Sequence, residues 1–270
     1  MNVRFFAETD PGRTRSQNED SVTFDEATGL CILADGMGGH NAGEVASGMA
    51  TAFIKSELCN ALNKDDITAD DVQLSMMNAV NLANSAIFNM SRTNPQYRGM
   101  GTTLVVGVFC GNVLVLAHIG DSRCYRLRGN YLQQLTRDHS VLQEQVDSGL
   151  ITLDANTPRT AGPNLVTRAL GVDGSVVTDV DRHEISVNDL YLLCSDGLSD
   201  MITDAAITAI LTQDEPMMLK AKRLINAANE GGGRDNISVI LARVFEKQKN
   251  GLLGSARRAI KGVWAGSKRN

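Results

Sequence analysis

Hydrophobic positions along the chain follow two periods. Residues 3–9, 21–25 and 30–34 read as strands, the last of them the unbroken apolar run LCILA. Over 43–62, Val45, Met49, Ala52, Phe53 and Leu58 recur at helical spacing. Val72, Met76, Ala79, Val80, Ala83 and Ile87 repeat the pattern over 69–92, so two long amphipathic helices are predicted. Short strands follow at 102–109, 113–119, 122–128 and 131–135. Gly111-Asn112 and Gly129-Asn130 are hairpin-turn pairs, and tight turns mean antiparallel pairing, because parallel strands need long crossovers. Residues 140–148 look helical, and 149–164, rich in Thr, Pro, Gly and Asn, read as an irregular excursion. Strands return at 176–185 and 189–195, helices at 204–212 and 216–229, and NISVILARV closes as a strand. This order predicts an α+β fold of antiparallel sheets covered by helices, rather than a βαβ alternation.

Composition narrows the picture. At 270 residues and 43% hydrophobic, the chain can bury a sizeable core. A net charge of -5 and 4% aromatic residues argue against a nucleic-acid binder, which needs basic excess and stacking platforms. Cys31, Cys59, Cys110, Cys124 and Cys194 form no CxxC pair and read as reduced core thiols. MNVRFFAETD is too short and polar for a signal peptide, and the apolar stretch TLVVGVFCGNVLVLAHIG is broken by Gly111-Asn112 into two strands. A cytoplasmic protein is expected. One domain over 1–246 precedes a tail, 247–270, rich in Lys and Arg. Leu253, Ala256, Ile260, Val263 and Trp264 share one helical face there. The tail is either a solvated extension or a basic amphipathic helix for an anionic membrane surface or a partner protein.

Acidic residues gather where strands end. LCILADG ends in Asp35-Gly36 and LYLLCSDG in Asp196-Gly197. Asp235 precedes the strand in GGGRDNISVILARV, Asp121 follows one in VLVLAHIGDSR, and Glu19 and Asp20 precede one in RSQNEDSVTF. Any one Asp-Gly is by itself a turn. As a set they suggest more, because carboxylates packed at sheet ends raise one another's pKa and a shared cation relieves the repulsion. Oxygen donors without His or Cys select magnesium, manganese or calcium over zinc. The absent side chain of Gly36 lets its carbonyl approach an ion. Asp138, in LTRDHS, reads as an N-cap for the helix from 140.

Taken in order, TDPGRTRSQNED, ADGMGGHNAGEVAS, MGTTLVV, AHIGDSRCYRLR, LTRDHS, LVTRALG, LCSDGLSDMI and GGGRDNISVI resemble the bacterial metal-dependent serine/threonine phosphatases of type 2C, from about residue 7 to 244. The resemblance implies a four-layer α/β/β/α sandwich, two antiparallel sheets flanked by helices, with two magnesium or manganese ions in a cleft at the sheet ends. Carried over, Asp35 bridges both ions, the Gly36 carbonyl binds one, and Asp196 and Asp235 hold the other. Glu19 and Asp20 stand behind them, toward waters on the ions, and Asp121 with Asp196 matches a weaker third site. Arg15 grips the substrate phosphate, and a metal-activated water hydrolyses phosphoserine or phosphothreonine.

Some parts of the pattern depart from the family or stay open. Eukaryotic relatives carry a histidine general acid at the position of Met37, which has no proton to give. His40, shared in kind with bacterial relatives, either protonates the leaving alkoxide or orients a water. His118 reads as a core residue, His139 as structural and His183 as surface. The segment 141–170 matches the family's flap, and Arg159 within it reads as solvated. The partners implied are phosphorylated proteins and a cognate serine/threonine kinase, with no nucleic acid, and the chain is expected to be a monomer. A non-catalytic binding domain of the same fold and a small-molecule phosphoesterase are the competing classes. A phosphothreonine-peptide assay with manganese separates all three.

Overall fold

The computed structural model describes residues 1–38, 42–63, 66–152 and 165–246. In chain order these form β1 (Asn2–Asp10), β2 (Asp20–Asp25), β3 (Leu30–Met37), α1 (Ala42–Leu62), α2 (Ala69–Thr93), β4 (Gly101–Thr102), β5 (Leu104–Cys110) and β6 (Val113–Ile119). Then follow β7 (Arg123–Arg128), β8 (Tyr131–Gln134), α3 (Val141–Asp147), β9 (Asp179–Glu184), β10 (Leu190–Cys194), α4 (Asp196–Ser199), α5 (Asp204–Leu211), α6 (Met217–Glu230) and β11 (Ile237–Phe245).

The strands make two antiparallel sheets. One runs β1-β11-β10-β7-β8, the other β2-β3-β5-β6-β9 with β4 attached to β3. Strand alternation then sorts the core into layers. On β3, Leu30, Ile32 and Ala34 face α1 and α2, while Cys31 and Leu33 face the other sheet. On β10, Leu190, Leu192 and Cys194 pack under α5 and α6, while Tyr191 and Leu193 point between the sheets. The central strands are therefore buried on both faces, which is why they read as continuous apolar runs. Helices, sheet, sheet, helices is the expected four-layer sandwich.

Two joints place the site. The first and last strands pair along their whole length, from Asn2 opposite Phe245 to Asp10 opposite Ile237, so the loop after β1 lies beside the turn before β11. Where β3 runs into α1 the backbones nearly touch. A Cβ on Gly36 would sit 2.2 Å from the Gly43 carbonyl oxygen, so only glycine fits.

Several expectations change. The strand expected over 102–109 breaks at Thr103: its N–H still bonds the Asp35 carbonyl in register (2.9 Å), but the Asp35 N–H turns to the Thr103 hydroxyl (3.0 Å) and the reciprocal ladder bond is lost. Helix α3 is capped by Ser140, whose Oγ accepts from the Gln143 N–H at 3.3 Å, not by Asp138. Asp138 turns inward to the buried Arg123 guanidinium, a cation that needs a partner. His183 is half-buried on β9 opposite Leu114, with Nε2 enclosed and no hydrogen-bond partner among the described residues. The cysteines are free thiols, and burial pushes Cys31 and Cys194 up to about 12. Among the described residues no helix is long and apolar enough to cross a membrane. His40, Arg159 and the tail from 247 lie outside the described residues.

Candidate metal centre

Asp35 stands near the end of β3 with its peptide fixed on both sides. Its N–H donates to Thr103 Oγ1 (3.0 Å), and its carbonyl accepts from the Thr103 N–H (2.9 Å) and from Thr102 Oγ1 (2.8 Å). Asp20 is its cross-strand partner on β2. Asp196 opens α4 one residue after β10 ends, Asp235 is separated from β11 by Asn236 alone, and Asp121 follows β6 and is 2% exposed. All five expected aspartates thus meet at one end of the sandwich.

The electrostatics of the cluster are unfavourable as it stands. Burial raises Asp35 well above the usual carboxylate range, and repulsion from Asp20, Asp196, Asp121 and Asp235 adds to it. Asp196 is raised in the same way, by burial and then by Asp121, Asp200, Asp235 and Asp20. Burial takes Asp121 to about 7, with Asp138 and Asp200 contributing, and Asp20 to about 6. Glu19, at the rim, is also raised by burial. Asp20 Oδ2 accepts from Ser195 Oγ at 2.8 Å, yet its Oδ1 and the Oδ1 of Asp196 are buried with no hydrogen-bond partner among the described residues.

This donor set fits divalent cations. Among the described residues, buried carboxylate oxygens without protein hydrogen bonds, a backbone carbonyl at a position that only glycine can occupy, and no nitrogen or sulfur ligand are what a hard ion selects. The residues enclose a cleft of about 350 Å³, walled on one side by Met37, Leu165 and Val166. A larger hollow of about 830 Å³ lies at the opposite end of the sheets. Its charged residues are Arg4, Glu26 and Glu246, with no buried carboxylate cluster, so the chemistry belongs to the smaller cleft.

Arg15 lies on the rim, half exposed, with Nη2 2.8 Å from Asp235 Oδ2. This pairing with Asp235 holds the guanidinium charge more firmly than usual. The histidines do other work. His118 and His139 are buried and stacked, ring centroids 4.8 Å apart. His118, His139 and Asp179 offer atoms within 4.8 Å of one another, as a metal site would. However, His139 Nδ1 accepts from the Gly120 N–H (3.1 Å), and burial keeps the ring neutral. Nδ1 is thus taken, and Nε2 faces both Asp179 Oδ2 (3.2 Å) and the Arg168 guanidinium (3.3 Å), a fixed cation where an ion would have to sit.

Reading the sequence missed the residues that hold the acids. Thr102, Thr103, Ser122, Ser195 and Asn236 are all buried and bonded to the acid-bearing segments. Each lies inside or beside a quoted motif, but a hydroxyl or carboxamide next to an acid gives no periodic signal.

A buried carboxylate cluster in a cleft with an arginine at its rim, set in a four-layer α/β/β/α sandwich, fits a metal-dependent phosphoesterase. The family model for protein phosphatase 2C matches residues 12–241, and the chain belongs to that family. It is 38% identical over 248 residues to the serine/threonine phosphatase stp of Listeria monocytogenes, covering 89% of this chain and 96% of that protein. To the serine/threonine protein phosphatase PstP of Mycobacterium tuberculosis it is 42% identical over 246 residues, 90% of this chain and 45% of that protein. The crystal structure of the PstP catalytic domain in complex with two manganese ions superposes with a TM-score of 0.79 at 42% identity, covering 91% of this chain and 99% of that one.

Proposed function

We propose that this chain is a metal-dependent protein phosphatase that hydrolyses phosphoserine and phosphothreonine in proteins, using two manganese or magnesium ions. The convergence of buried, mutually repelling aspartates from distant segments in one cleft carries the reading, because a bound cation relieves a repulsion that otherwise favours their protonated forms. Asp35 and the Gly36 carbonyl would hold one ion, and Asp35 again with Asp196 and Asp235 the second. Asp121, beside Asp196, would offer a weaker third position. When bound, such ions acidify water and draw charge from the phosphoryl oxygens.

The chain's own groups do the rest. Arg15 offers a planar fork of N–H donors to the phosphate, from a rim position where its side chain remains half exposed. Glu19 and Asp20 accept hydrogen bonds from water and orient it. Leu165 and Val166 keep bulk solvent off one wall. Met37 has no proton for the leaving alkoxide, and His40 is the donor we assign in its place. The biological setting we infer is a cytoplasmic monomer opposing a serine/threonine kinase, with the basic tail outside the catalytic unit.

Purified protein should release phosphate from a phosphothreonine peptide with manganese, lose that activity in chelator, and regain it when manganese is restored. Asp35→Asn should abolish turnover and weaken manganese binding by calorimetry. Preference for nucleotides or sugar phosphates would favour the small-molecule class, and silence on every phosphoester would favour a binding domain.

A further inference from the structure

Asn236, next to Asp235, is 4% exposed, and its carboxamide is spent on a different part of the chain. Nδ2 donates to the Pro11 carbonyl (3.0 Å) and the Gln17 carbonyl (2.8 Å), and Oδ1 accepts from the Glu19 N–H (2.8 Å). Two carbonyls opposite one end and an N–H opposite the other fix which way the amide points. The three bonds pin both ends of the loop 11–19, and Arg15 is near its apex. The same residue's backbone N–H donates to Asp235 Oδ1 (2.8 Å), while Arg15 holds Asp235 Oδ2 (2.8 Å). Between these ends the loop is also tied by the Arg13 and Thr14 N–H bonds to the Gly233 carbonyl, by the Gly12 N–H to Asp10 Oδ1 (2.9 Å) and by Asn18 Nδ2 to Thr9 Oγ1 (2.7 Å).

We infer that Asn236 is a positioning residue that fixes the phosphate-gripping arginine at a set distance from the metal-side carboxylate. This rests on the phosphatase reading and adds to it a device for substrate binding. No other small side chain fills the role. Aspartate would turn a carboxylate toward two carbonyls, and serine offers one proton where two are needed. Since a misplacement of about 1 Å at a reacting group can cost about 100-fold in rate, a loop released at both ends matters more than its bond count suggests.

A double-mutant cycle tests it, with a phosphothreonine peptide as substrate and calorimetry for manganese. Arg15→Ala alone asks whether Arg15 grips phosphate: KM should rise at least about 10-fold, as expected when a guiding contact is lost. Asn236→Asp should raise KM by a similar factor, with manganese affinity within about twofold of wild type. The double variant should be no worse than Arg15→Ala, because both changes remove the same contact. Additive losses, or manganese affinity that falls in step with turnover, would overturn the inference. An unchanged KM in Arg15→Ala would instead sink the role given to Arg15, and an inactive wild type the phosphatase reading itself. Asn236→Asp keeps the side-chain shape, and circular dichroism confirms that the assayed protein is folded. Should the variant not fold, wild-type hydrogen exchange decides. The Glu19 amide should be strongly protected in wild type, and fast exchange there would refute the clasp.

Discussion

Asp20 and Asp35 oppose each other across β2 and β3, so their carboxylates leave neighbouring strands on one face, about 5 Å apart at Cβ. Burial lifts Asp20 to about 6 and, with its neighbours, Asp35 well above the ordinary range. A carboxylate raised on folding binds more protons in the native than in the unfolded chain between its unfolded pKa, about 4, and its folded one. Stability therefore falls as pH rises through that window. Chelator-treated protein should melt higher at pH 5.5 than at pH 7.5. With manganese the order should reverse, because the ion binds the deprotonated carboxylates. Melting curves across this range, with chelator and with metal, check both halves, and identical pH profiles would contradict a cation site.

Thr103 joins two acid-bearing segments. Its Oγ1 accepts from the Asp35 N–H (3.0 Å) and pairs with Ser122 Oγ (2.7 Å), next to Asp121. The approach is close enough that Gly120, at φ +98°, has no room for a Cβ: one would fall 2.7 Å from Thr103 Cβ. Thr103→Val keeps the shape and leaves the buried Asp35 N–H without a partner, so it should destabilise the fold by about 1–3 kcal/mol. Manganese affinity should drop about 10- to 100-fold, as for other groups that orient ligands. Thr103→Ser keeps the oxygen and should restore most of that affinity. Wild-type affinity in Thr103→Val with a loss in Thr103→Ser would show that the methyl group, not the hydroxyl, is what matters.

The acids were legible in the sequence because each ends or begins an apolar strand. Asp35 and Asp196 follow unbroken runs, and strand ends lie at the edges of sheets. The two long helices were legible for a similar reason, since a residue such as Val72 or Met76 repeats its environment every turn. Thr103 and Asn236 were not, because their partners are set by pairing across the fold. The Asp35 N–H that takes the Thr103 hydroxyl belongs to another strand, and Pro11 and Gln17 reach Asn236 only because β1 closes against β11. Helix α4, a single turn at Asp196–Ser199, is too short to show any period. Asp138 was misread for a related reason: an acid two residues before a helix resembles a cap, and nothing local reveals the buried arginine that claims it.

The match to the family ends at residue 241 and the closing strand at Phe245, so every acid of the cleft is in place before the basic tail begins. Every hydrogen bond described above for the cleft is made by residues before 247. On deletion of residues 247–270, peptide turnover should stay within about twofold of the full chain. A larger loss in steady-state assays would assign the tail a part in catalysis.

Arg123 and Asp138 form the most deeply buried ion pair among the described residues, with side chains 4% and 0% exposed. Arg123 Nε donates to Asp138 Oδ1 (2.9 Å) and Nη2 to Oδ2 (2.6 Å), while Nη1 reaches the Tyr125 hydroxyl (3.0 Å), which in turn donates to Asp204 (3.2 Å). Gln134 also donates to Asp138, at 2.9 Å. Removing one partner leaves the other charge buried, so Asp138→Ala should destabilise the protein by about 3–5 kcal/mol. For a chain of this size that corresponds to a melting temperature lower by about 10 °C. Replacing both partners, as in Arg123→Met with Asp138→Leu, leaves no uncompensated charge and should be milder than Asp138→Ala alone. Asp138 also helps to hold Asp121 near 7, so removing its charge should let Asp121 ionise at lower pH. Thermal unfolding of the three proteins settles the energetic claim. A double variant at least as unstable as Asp138→Ala would mean that the pair is held by its wider network and not by charge compensation.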